Sequence, residues 1–597
     1  MLGIFFVVLT NYFRILAPQI TGYVVNTVVQ TIKHDAAGKQ IYSGNTEKNY
    51  DILVKTVIGF FENHQDHKIL LAGITLLILA IISGLFMFLM RQTIIVMSRH
   101  IEYDQKNEIF SHYQKLDTNF YKTHSTGDLM NRIAEDVSRV RMYTGPALMY
   151  FINLAAVIGF SVFFMLKAST KLTIVALAPL PLLAITIYFV NTIINKKSER
   201  IQALLSDLTT NAQESYSGIR VIKSYVQEKA MLLFFKNNSE SYRSNALSLA
   251  KIEAIYFPSM ALLIGLSTII TITVGCIDIV NHNINSTTGT VITAGTIAEF
   301  VLYIQMLTFP VSAIGWTASM TQRAAASQKR INEFLHTDPE IKNSGNELKP
   351  LLQGNITFTN VDFTYPHTGI NAIKDFSLQI TKGQKIAIIG RTGTGKSTIA
   401  QLLLHMYNPQ KGIITYDGIP LNKIDLTSLR EQISYVPQDV FLFSETVSNN
   451  ISFGLENATQ ERIITAARQA SVHTEIERFQ QGYKTMIGER GVTLSGGQKQ
   501  RISIARALIK DPQIVIFDDC LSAVDARTEK EIIENLYNYL ENKTALIITH
   551  RIFSLFKFDK IIVLDDGSIA EEGTHEELLQ KNGIYTEMYN RQQAERN

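Results

Sequence analysis

Six long apolar runs fill the first half of the chain, at residues 2–29, 69–90, 147–166, 172–194, 255–280 and 294–316. Each is close to the ~20 residues that a helix needs to cross a bilayer. Because a bilayer offers no water to the backbone, such runs must become helices. Six buried helices of a soluble protein fit runs of this length poorly. The sequence therefore predicts a membrane domain of six transmembrane helices over residues 1–320.

Composition agrees with a chain that is part membrane and part soluble domain. Charged residues make up 18% of the chain and apolar residues 46%. The net charge is only +3, so nothing points to a nucleic-acid partner. The two cysteines, Cys276 and Cys520, fall in a predicted span and a predicted soluble domain. We therefore expect neither a disulfide framework nor a cysteine metal site.

The long segments after the second and fourth runs are rich in lysine and arginine, which places them in the cytoplasm by the positive-inside rule. Residues 69–120 contain no proline, and their apolar spacing stays helical. A helix over 69–114 would be roughly 70 Å long, more than twice the thickness of the hydrocarbon core. We expect long cytoplasmic extensions on a multi-pass protein of the cytoplasmic (inner) membrane.

The second half of the chain has the pattern of a soluble α/β domain. Residues 321–353 predict a polar helix end followed by a linker, marked by Asp338-Pro339. Strand candidates with helices between them lie at 356–365, 385–389, 433–436, 514–517, 544–549 and 560–565. This order predicts a mostly parallel sheet in a cytoplasmic domain over residues 354–591.

A glycine-rich loop stands between a predicted strand and a predicted helix, and it reads Gly390-Arg391-Thr392-Gly393-Thr394-Gly395-Lys396-Ser397-Thr398. Strand, loop and helix in this order are the context of the phosphate-loop motif. Backbone N–H groups and the helix N-terminus would surround phosphate oxygens. Lys396 would reach the outer phosphates, and the Ser397 hydroxyl would bind Mg²⁺. The loop predicts binding of a nucleoside triphosphate.

Two later runs strengthen this prediction. Residues 514–517 form an apolar strand candidate that ends at Asp518, a carboxylate able to hold Mg²⁺ beside the phosphate loop. Residues 494–501 read LSGGQKQR. We interpret Gly496 and Gly497 as a tight turn that opens a helix at Gln498, a second helix N-terminus able to bind an anion.

These motifs resemble those of the ATP-binding cassette (ABC) family, whose signature is LSGGQ. The resemblance covers nearly the whole chain, because six spans plus one cassette are similar to a bacterial half-transporter that exports drugs or lipids. It implies an α-helical membrane domain joined to an α/β phosphate-loop domain, with ATP and Mg²⁺ as cofactors. The transported small molecule, drug or lipid is not identified by the sequence.

The resemblance also implies roles for single residues. Tyr365 is similar to the aromatic that stacks on adenine, and Gln438 to the Q-loop residue that touches Mg²⁺ and water. His550 is similar to the switch histidine near the γ-phosphate. The segments 488–491 and 522–525 resemble a loop near the membrane-domain contacts and the D-loop. The ATP held by a partner cassette would meet Ser495, Gly496, Gly497 and Gln498, while Mg²⁺ would be bound by Ser397, Gln438 and Asp518.

Asp519 departs from the family pattern, which has glutamate at this position to polarise the attacking water. Aspartate is one methylene shorter, so its carboxylate sits roughly 1 Å back, and such a shift can cost ~10²-fold in rate. Binding of ATP should survive while its hydrolysis slows. We therefore favour a heterodimer in which this chain's signature serves the partner's competent site and its own site is slow. A homodimer with two such sites is the alternative.

The sequence thus predicts an ATP-driven exporter half, with catalytic roles for Asp519, Gln438 and His550. One alternative is a regulatory ATP-binding subunit or gate with little transport of its own. A soluble cassette ATPase is a second, disfavoured by the six spans. The family usually has a short amphipathic helix before the first span, and none precedes Leu2. Either that helix is lost or the natural start lies upstream.

Overall fold

The computed structural model describes residues 1–37, 50–64, 67–280, 292–343, 345–488, 494–521, 526–550, 552 and 558–596. The chain divides into two compact units. The first comprises Met1–Ser111 and Met130–His336, and the second comprises His112–Leu129 and Thr337–Asn597. The described elements of the first are all helices joined by short connections, and the second contains all of the described strands.

The helices of the N-terminal half are α1 (Leu2–Ala37), α2 (Ile52–Glu62), α3 (Lys68–Lys115), α4 (Thr118–Thr123), α5 (Thr126–Asn131), α6 (Val137–Met142), α7 (Leu148–Ala168), α8 (Thr170–Leu177), α9 (Pro179–Ser217), α10 (Ile219–Ser224), α11 (Glu228–Val280) and α12 (Ala294–Leu335). Two π-helical segments, Arg132–Asp136 and Tyr143–Ala147, separate α5, α6 and α7.

Among the described residues, six helical stretches are long and apolar enough to cross a membrane, which confirms the predicted six spans. The predicted extension is also present, because α3 runs for 48 residues, about 72 Å of helix. The fourth predicted span differs from the prediction, since it is divided between α8 and α9. Pro179 occupies the first turn of α9, a position where its missing N–H costs nothing.

Helix α2 is an element that the sequence analysis did not predict. Asp51 begins it by accepting a hydrogen bond from the backbone N–H of Leu53, and the Asp51 carboxylate also accepts from the Tyr12 hydroxyl at 2.9 Å. One face of the helix, including Ile58 and Phe61, is buried. Its 11 residues are too few for a span, so a search for runs of ~20 passes over it.

The second unit contains two sheets, built from β1 (Ile356–Thr364), β2 (Asn371–Ile380), β3 (Lys385–Gly390), β4 (Lys411–Tyr416), β5 (Ile419–Pro420), β6 (Ile433–Val436), β7 (Ile514–Asp518), β8 (Thr544–Ile548), β9 (Lys560–Asp565) and β10 (Ser568–Gly573). One sheet has the strand order β10-β9-β3-β8-β7-β6 and is parallel except for β10. The other has the order β2-β1-β4-β5 and is antiparallel.

The first strand candidate, at 356–365, therefore lies outside the parallel sheet that we predicted for it. Strand β1 alternates between buried and more exposed residues, as expected of an antiparallel strand with one covered face. By contrast, β7 and β8 are buried along their whole length, as strands covered on both faces must be. The other five strand candidates form the parallel part of the larger sheet.

The remaining helices are α13 (Lys396–Leu403), α14 (Leu426–Glu431), α15 (Val447–Ser452), α16 (Gln460–Gln469), α17 (His473–Glu477), α18 (Gly496–Leu508), α19 (Ala526–Tyr539), α20 (His575–Lys581) and α21 (Ile584–Arg596). Strands β3, β8 and β7 are neighbours, and their registers pair Ile388 with Ile548 and Ile548 with Asp518. The loops that follow these strands therefore leave from the same edge of the sheet.

Candidate nucleotide-binding site

The phosphate loop connects the end of β3 to the start of α13. Gly393 and Gly395 have φ angles of +89° and +93°, a left-handed conformation that glycine adopts readily. At Gly395 a Cβ atom would also lie 2.2 Å from the carbonyl oxygen of Ala372. Glycine is therefore required there for two independent reasons. The loop ends at the N-terminus of α13, whose unpaired N–H groups and dipole favour an anion.

Lys396 is folded into this loop and is only 6% exposed. Its ammonium group donates hydrogen bonds to the carbonyl oxygens of Gly390 at 2.8 Å and Arg391 at 2.7 Å. Burial lowers the pKa of Lys396 to about 8, and the charges of Asp519 and Asp518 oppose that shift. The lysine is thus a buried cation, and an anionic phosphate group would be its natural partner.

Ser397 and Asp518 meet at the position predicted for Mg²⁺. The serine hydroxyl donates to Asp518 Oδ1 at 3.0 Å, and the Tyr435 hydroxyl donates to Asp518 Oδ2 at 3.2 Å. Asp518 is 2% exposed, and this burial raises the pKa of its carboxyl group. Hydroxyl and carboxylate oxygens are the ligands that Mg²⁺ takes together with substrate phosphates and water. The residues present therefore fit this ion, which Ser397 and Asp518 would hold.

Asp519 follows β7 in a left-handed conformation, with φ of +45°. Its backbone N–H donates to the carbonyl oxygen of Ile548 on β8 at 2.8 Å, which ties its backbone to the neighbouring strand. Its carboxylate oxygen Oδ2 accepts a long hydrogen bond of 3.4 Å from the Gln438 side chain. The structure therefore brings together two of the three residues for which we predicted catalytic roles.

His550, the third, follows β8 at the same sheet edge, where the backbone N–H of Thr549 donates to Ile388 of β3 at 3.1 Å. The His550 carbonyl oxygen accepts a hydrogen bond of 2.5 Å from the side chain of Gln592 on α21. The sequence analysis missed Gln592. Nothing in its local sequence marks it, since it lies between other polar residues of a C-terminal helix.

Tyr365, at the end of β1, lies against the helix that follows the phosphate loop. Its hydroxyl oxygen is 2.9 Å from Thr398 Oγ1, and the hydroxyl donates to Gln401 Oε1 at 3.1 Å. The half-buried ring packs edge-on against Phe363 and Tyr407, with centroids 4.9 and 5.4 Å away. Tyr365 thus stands beside the loop, and its contact with adenine stays a prediction.

The signature differs in conformation from our prediction, because Gly496 and Gly497 are the first residues of α18 rather than a turn. Ser495 caps the helix, since its hydroxyl accepts from the Gln498 N–H at 3.3 Å. In return, Gln498 Oε1 accepts from the Ser495 N–H at 3.0 Å. This reciprocal capping box extends the helix by two residues toward its N-terminus.

A partly buried ion pair between Arg501 and Glu475 supports the signature helix. Arg501 is 6% exposed and donates to both carboxylate oxygens of Glu475, at 2.7 and 2.9 Å. The same guanidinium group donates to the carbonyl oxygen of Gly497 at 3.2 Å. Paired hydrogen bonds of this kind fix geometry as well as charge. The second signature glycine is therefore held by side chains outside the motif.

Within one chain, the phosphate loop and the signature lie on different parts of the second unit. Helix α13 and strand β3 contribute Ile399 and Ile388 to one hydrophobic core cluster. Helix α18 contributes Ile502 and Ile504 to another. The predicted segments 489–491 and 522–525 lie outside the described residues.

Comparisons with known proteins agree with these motifs. Residues 1–311 match the family described as the ABC transporter transmembrane region, and residues 373–522 match the family described as ABC transporter. Over 99% of its length the chain superposes on a solved structure of a bacterial Atm1-family ABC exporter with ATP bound. The TM-score is 0.74, the identity is 24%, and 97% of that chain is covered, so this likeness shows the fold.

Curated relatives span most of the chain. It is 38% identical to the "Probable multidrug resistance ABC transporter ATP-binding/permease protein YheI" of Bacillus subtilis, over 82% of each chain. It is 35% identical to the multidrug resistance-like ATP-binding protein MdlA of Escherichia coli, over 90% of each chain. It is 34% identical to an ATP-dependent lipid A-core flippase of Legionella pneumophila, over 82% of this chain and 81% of the flippase. The chain therefore belongs to the ABC transporter family, as a multi-pass membrane exporter that carries one transmembrane domain and one ATP-hydrolysing domain on a single polypeptide.

Proposed function

We propose that this chain is one half of a dimeric exporter and that ATP binds between its own phosphate loop and the signature of a second half. The observation that carries this proposal is the separation of the two motifs in one chain. The helices that follow these motifs, α13 after the phosphate loop and α18 after Ser495, pack into different hydrophobic core clusters. A single chain therefore supplies two half-sites for ATP, and a second cassette completes both.

Exposed aromatic residues on the nucleotide-binding domain support a partner. Phe441, Phe443 and Phe453 are 51%, 38% and 64% exposed. Phe443 and Phe453 stack at 4.6 Å, and the Arg506 guanidinium lies over both rings at 5.8 and 5.6 Å. A contiguous exposed apolar patch of this kind marks an interaction site. The arginine holds the two rings in place before any partner arrives.

The second long cytoplasmic segment offers a complementary surface. None of the six residues of α10 is buried. On either side of it, Tyr216 and Tyr225 are 77% and 72% exposed. We propose that this tip docks on the aromatic patch of the partner half, and that the partner's tip docks here. Closure of the two cassettes on ATP would then pull on the transmembrane helices of both halves.

The ATP site that contains this chain's own phosphate loop is proposed to be the slow one. Lys396, Ser397 and Asp518 are arranged to hold ATP and Mg²⁺, whereas the carboxylate of Asp519 is short and touches Gln438 only through a long hydrogen bond of 3.4 Å. This chain's signature, Ser495 to Gln498, is proposed to complete a faster site on a different partner. We therefore favour a heterodimer over a homodimer.

The transported substrate is proposed to be an amphipathic small molecule, drug or lipid. The support is the naming of relatives as multidrug resistance proteins and as a lipid A-core flippase. A regulatory ATP-binding half with little transport of its own is the second candidate, and the short carboxylate of Asp519 favours it. Uphill uptake into inside-out vesicles separates the two, because a gate cannot move solute against its gradient.

The dimer proposal is tested by ATP hydrolysis of the purified chain alone and with its partner half. We expect weak hydrolysis alone and strong hydrolysis by the pair. In the pair, Ser495→Arg should abolish most of the activity, while Lys396→Ala should leave a substantial fraction. Lys411→Ala, on an exposed strand, is the matched lysine control. Vigorous hydrolysis by this chain alone, or a pair unaffected by Ser495→Arg, would contradict the heterodimer.

A further inference from the structure

We propose that Gln592, on the C-terminal helix α21, is a positioning residue for His550. The proposal rests on the role of His550 beside the γ-phosphate, and it adds a residue far away in sequence. Gln592 holds the backbone at His550 and at Ile552, the two described residues that we call the switch segment. Its amide N–H donates to the His550 carbonyl oxygen at 2.5 Å, and its amide oxygen accepts from the Ile552 N–H at 2.9 Å.

This pair of bonds uses both ends of one side-chain amide. A glutamine can donate and accept at the same time, so it matches a backbone carbonyl and the backbone N–H two residues later. His550 and Ile552 lie beyond the end of β8 at Ile548, and neither belongs to a described strand. Without these bonds, the carbonyl oxygen of His550 and the N–H group of Ile552 would lose the partner that Gln592 provides. Gln592 thus replaces, for one short stretch, the pairing that the sheet no longer provides.

Helix α21 is anchored firmly enough to serve as this support. Its first two backbone N–H groups, of Ile584 and Tyr585, donate to the two carboxylate oxygens of Glu571 on β10, at 2.6 and 3.2 Å. A carboxylate at a helix N-terminus is favoured by the dipole as well. Gly583 makes the approach possible, because a Cβ atom there would lie 1.9 Å from the Glu571 oxygen.

The buried side of α21 belongs to the same core cluster as the switch segment. Tyr585 and Ile552 are both buried in that cluster, together with Ile389 at the end of β3. The Tyr585 hydroxyl is 2.6 Å from Nδ1 of His575. Tyr585 and Gln592 are seven residues apart, so they share one face of the helix about 10 Å apart. The helix therefore presents Gln592 to the switch backbone from a fixed position.

Single-turnover hydrolysis at this chain's own site tests the role. The assembled exporter is used, with the phosphate-loop lysine of the partner half replaced by alanine so that only this chain's site binds ATP. We expect Gln592→Leu to slow the hydrolysis rate roughly tenfold, less than the ~10² of a 1 Å misplacement of a catalytic group, with little change in ATP affinity. Gln592→Glu still accepts from Ile552 but places a carboxylate oxygen against the His550 carbonyl oxygen, so it should slow the rate at least as much.

Gln593 provides the matched control on the same helix. Its side chain bonds the Tyr589 hydroxyl at 3.2 Å, so Gln593→Leu should leave the rate unchanged. The decisive comparison adds Gln592→Leu to His550→Ala. Because Gln592 acts through the histidine, the double variant should be no slower than His550→Ala alone. Melting temperatures of all variants are measured to show that the domain stays folded.

Three results would overturn the proposal. The first is a Gln592→Leu rate equal to wild type, with His550→Ala slow; this refutes the support role and leaves the proposed function standing. The second is an additive double variant, which would make Gln592 merely structural. The third is a His550→Ala variant as fast as wild type, which refutes the switch role of His550 on which the Gln592 proposal rests and leaves the dimer proposal to its own test. If Gln592→Leu does not fold, the Gln592→Glu variant carries the same comparisons.

Discussion

Lengthening the carboxylate after β7 is the sharpest test of the proposed slow site. In the variant Asp519→Glu the backbone should stay in place, because the residue's N–H is bonded to Ile548 at 2.8 Å. The added methylene then moves the carboxylate roughly 1 Å forward, past the 3.4 Å contact with Gln438. A correction of this size is worth ~10²-fold in rate. At about 1.36 kcal/mol for each factor of ten, the barrier should fall by about 2.7 kcal/mol.

The same substitution should lower stability slightly. Asp519 has a φ of +45°, and aspartate tolerates this left-handed region better than the longer glutamate does. We expect a loss on the order of 1 kcal/mol in the free energy of unfolding. A faster but less stable variant would therefore show that the gain comes from the position of the carboxylate and not from a tighter fold.

The assay is single-turnover ATP hydrolysis in the assembled exporter with the partner's phosphate-loop lysine replaced by alanine. Asp519→Asn keeps the length and removes the charge, and it should be slower than wild type. Asp519→Gln has the new length without the charge, and it should gain nothing. A glutamate variant no faster than aspartate would refute the argument from carboxylate length. A glutamine variant as fast as glutamate would refute the role of charge.

Four further predictions concern binding and stability. Tyr365→Phe keeps the ring and removes the two hydroxyl hydrogen bonds that hold it against α13, so ATP should bind about fivefold tighter, corresponding to about 1 kcal/mol. Tyr365→Ala removes the ring and should bind ATP more weakly. Nucleotide titration measures the affinity of both variants. Burial holds the pKa of Lys396 at about 8, below its ordinary 10.5 and despite the two carboxylates at the end of β7. Since phosphate needs the charged ammonium, ATP affinity should be constant below pH 8 and fall about tenfold for each pH unit above it. Tighter binding above pH 8 would contradict the assignment of Lys396 as the phosphate-binding lysine. In the folded, nucleotide-free protein this lysine releases its proton above pH 8 while the unfolded chain keeps it to about 10.5, so its contribution to unfolding free energy rises with pH in that window. Glu475→Ala removes the partly exposed carboxylate from the buried Arg501 cation, which keeps its hydrogen bonds to the carbonyl oxygens of Gly497 and Ser471; the loss in chemical denaturation should be about 1.5–3 kcal/mol. The exposed pair of Lys411 and Asp362 should be worth less than about 1 kcal/mol.

The parts of the fold that the amino-acid order predicted are those set by local chemistry. Six apolar runs of about 20 residues span the bilayer as helices, because a helix satisfies its backbone hydrogen bonds within its own segment. The loop at 390–398 is equally local, since its glycines, lysine and serine act over a single turn of chain. Asp518 was predictable because it ends an apolar strand and pairs chemically with that loop.

Other features depended on what packs against them. The stretch at 356–364 has strand chemistry, but only its partners β2 and β4 place it in the antiparallel sheet. Gly496 and Gly497 suggest a turn in isolation, and the capping box between Ser495 and Gln498 makes them helical. Helix α2 is too short to be detected as a span, and it is stabilised by packing of its buried face.

The residues around the ATP site divide in the same way. The roles of Lys396, Ser397 and Asp518 in binding phosphate and Mg²⁺ were predictable from their residue types and spacing. Gln592 does not, because its importance comes from two hydrogen bonds to backbone atoms about 40 residues earlier in the chain. The identity of a side chain shows which bonds it can form, and a motif of neighbouring residues predicts reliably which of those bonds it does form. Which distant backbone atoms receive those bonds is a matter of packing, since the folded core alone brings α21 to the end of β8.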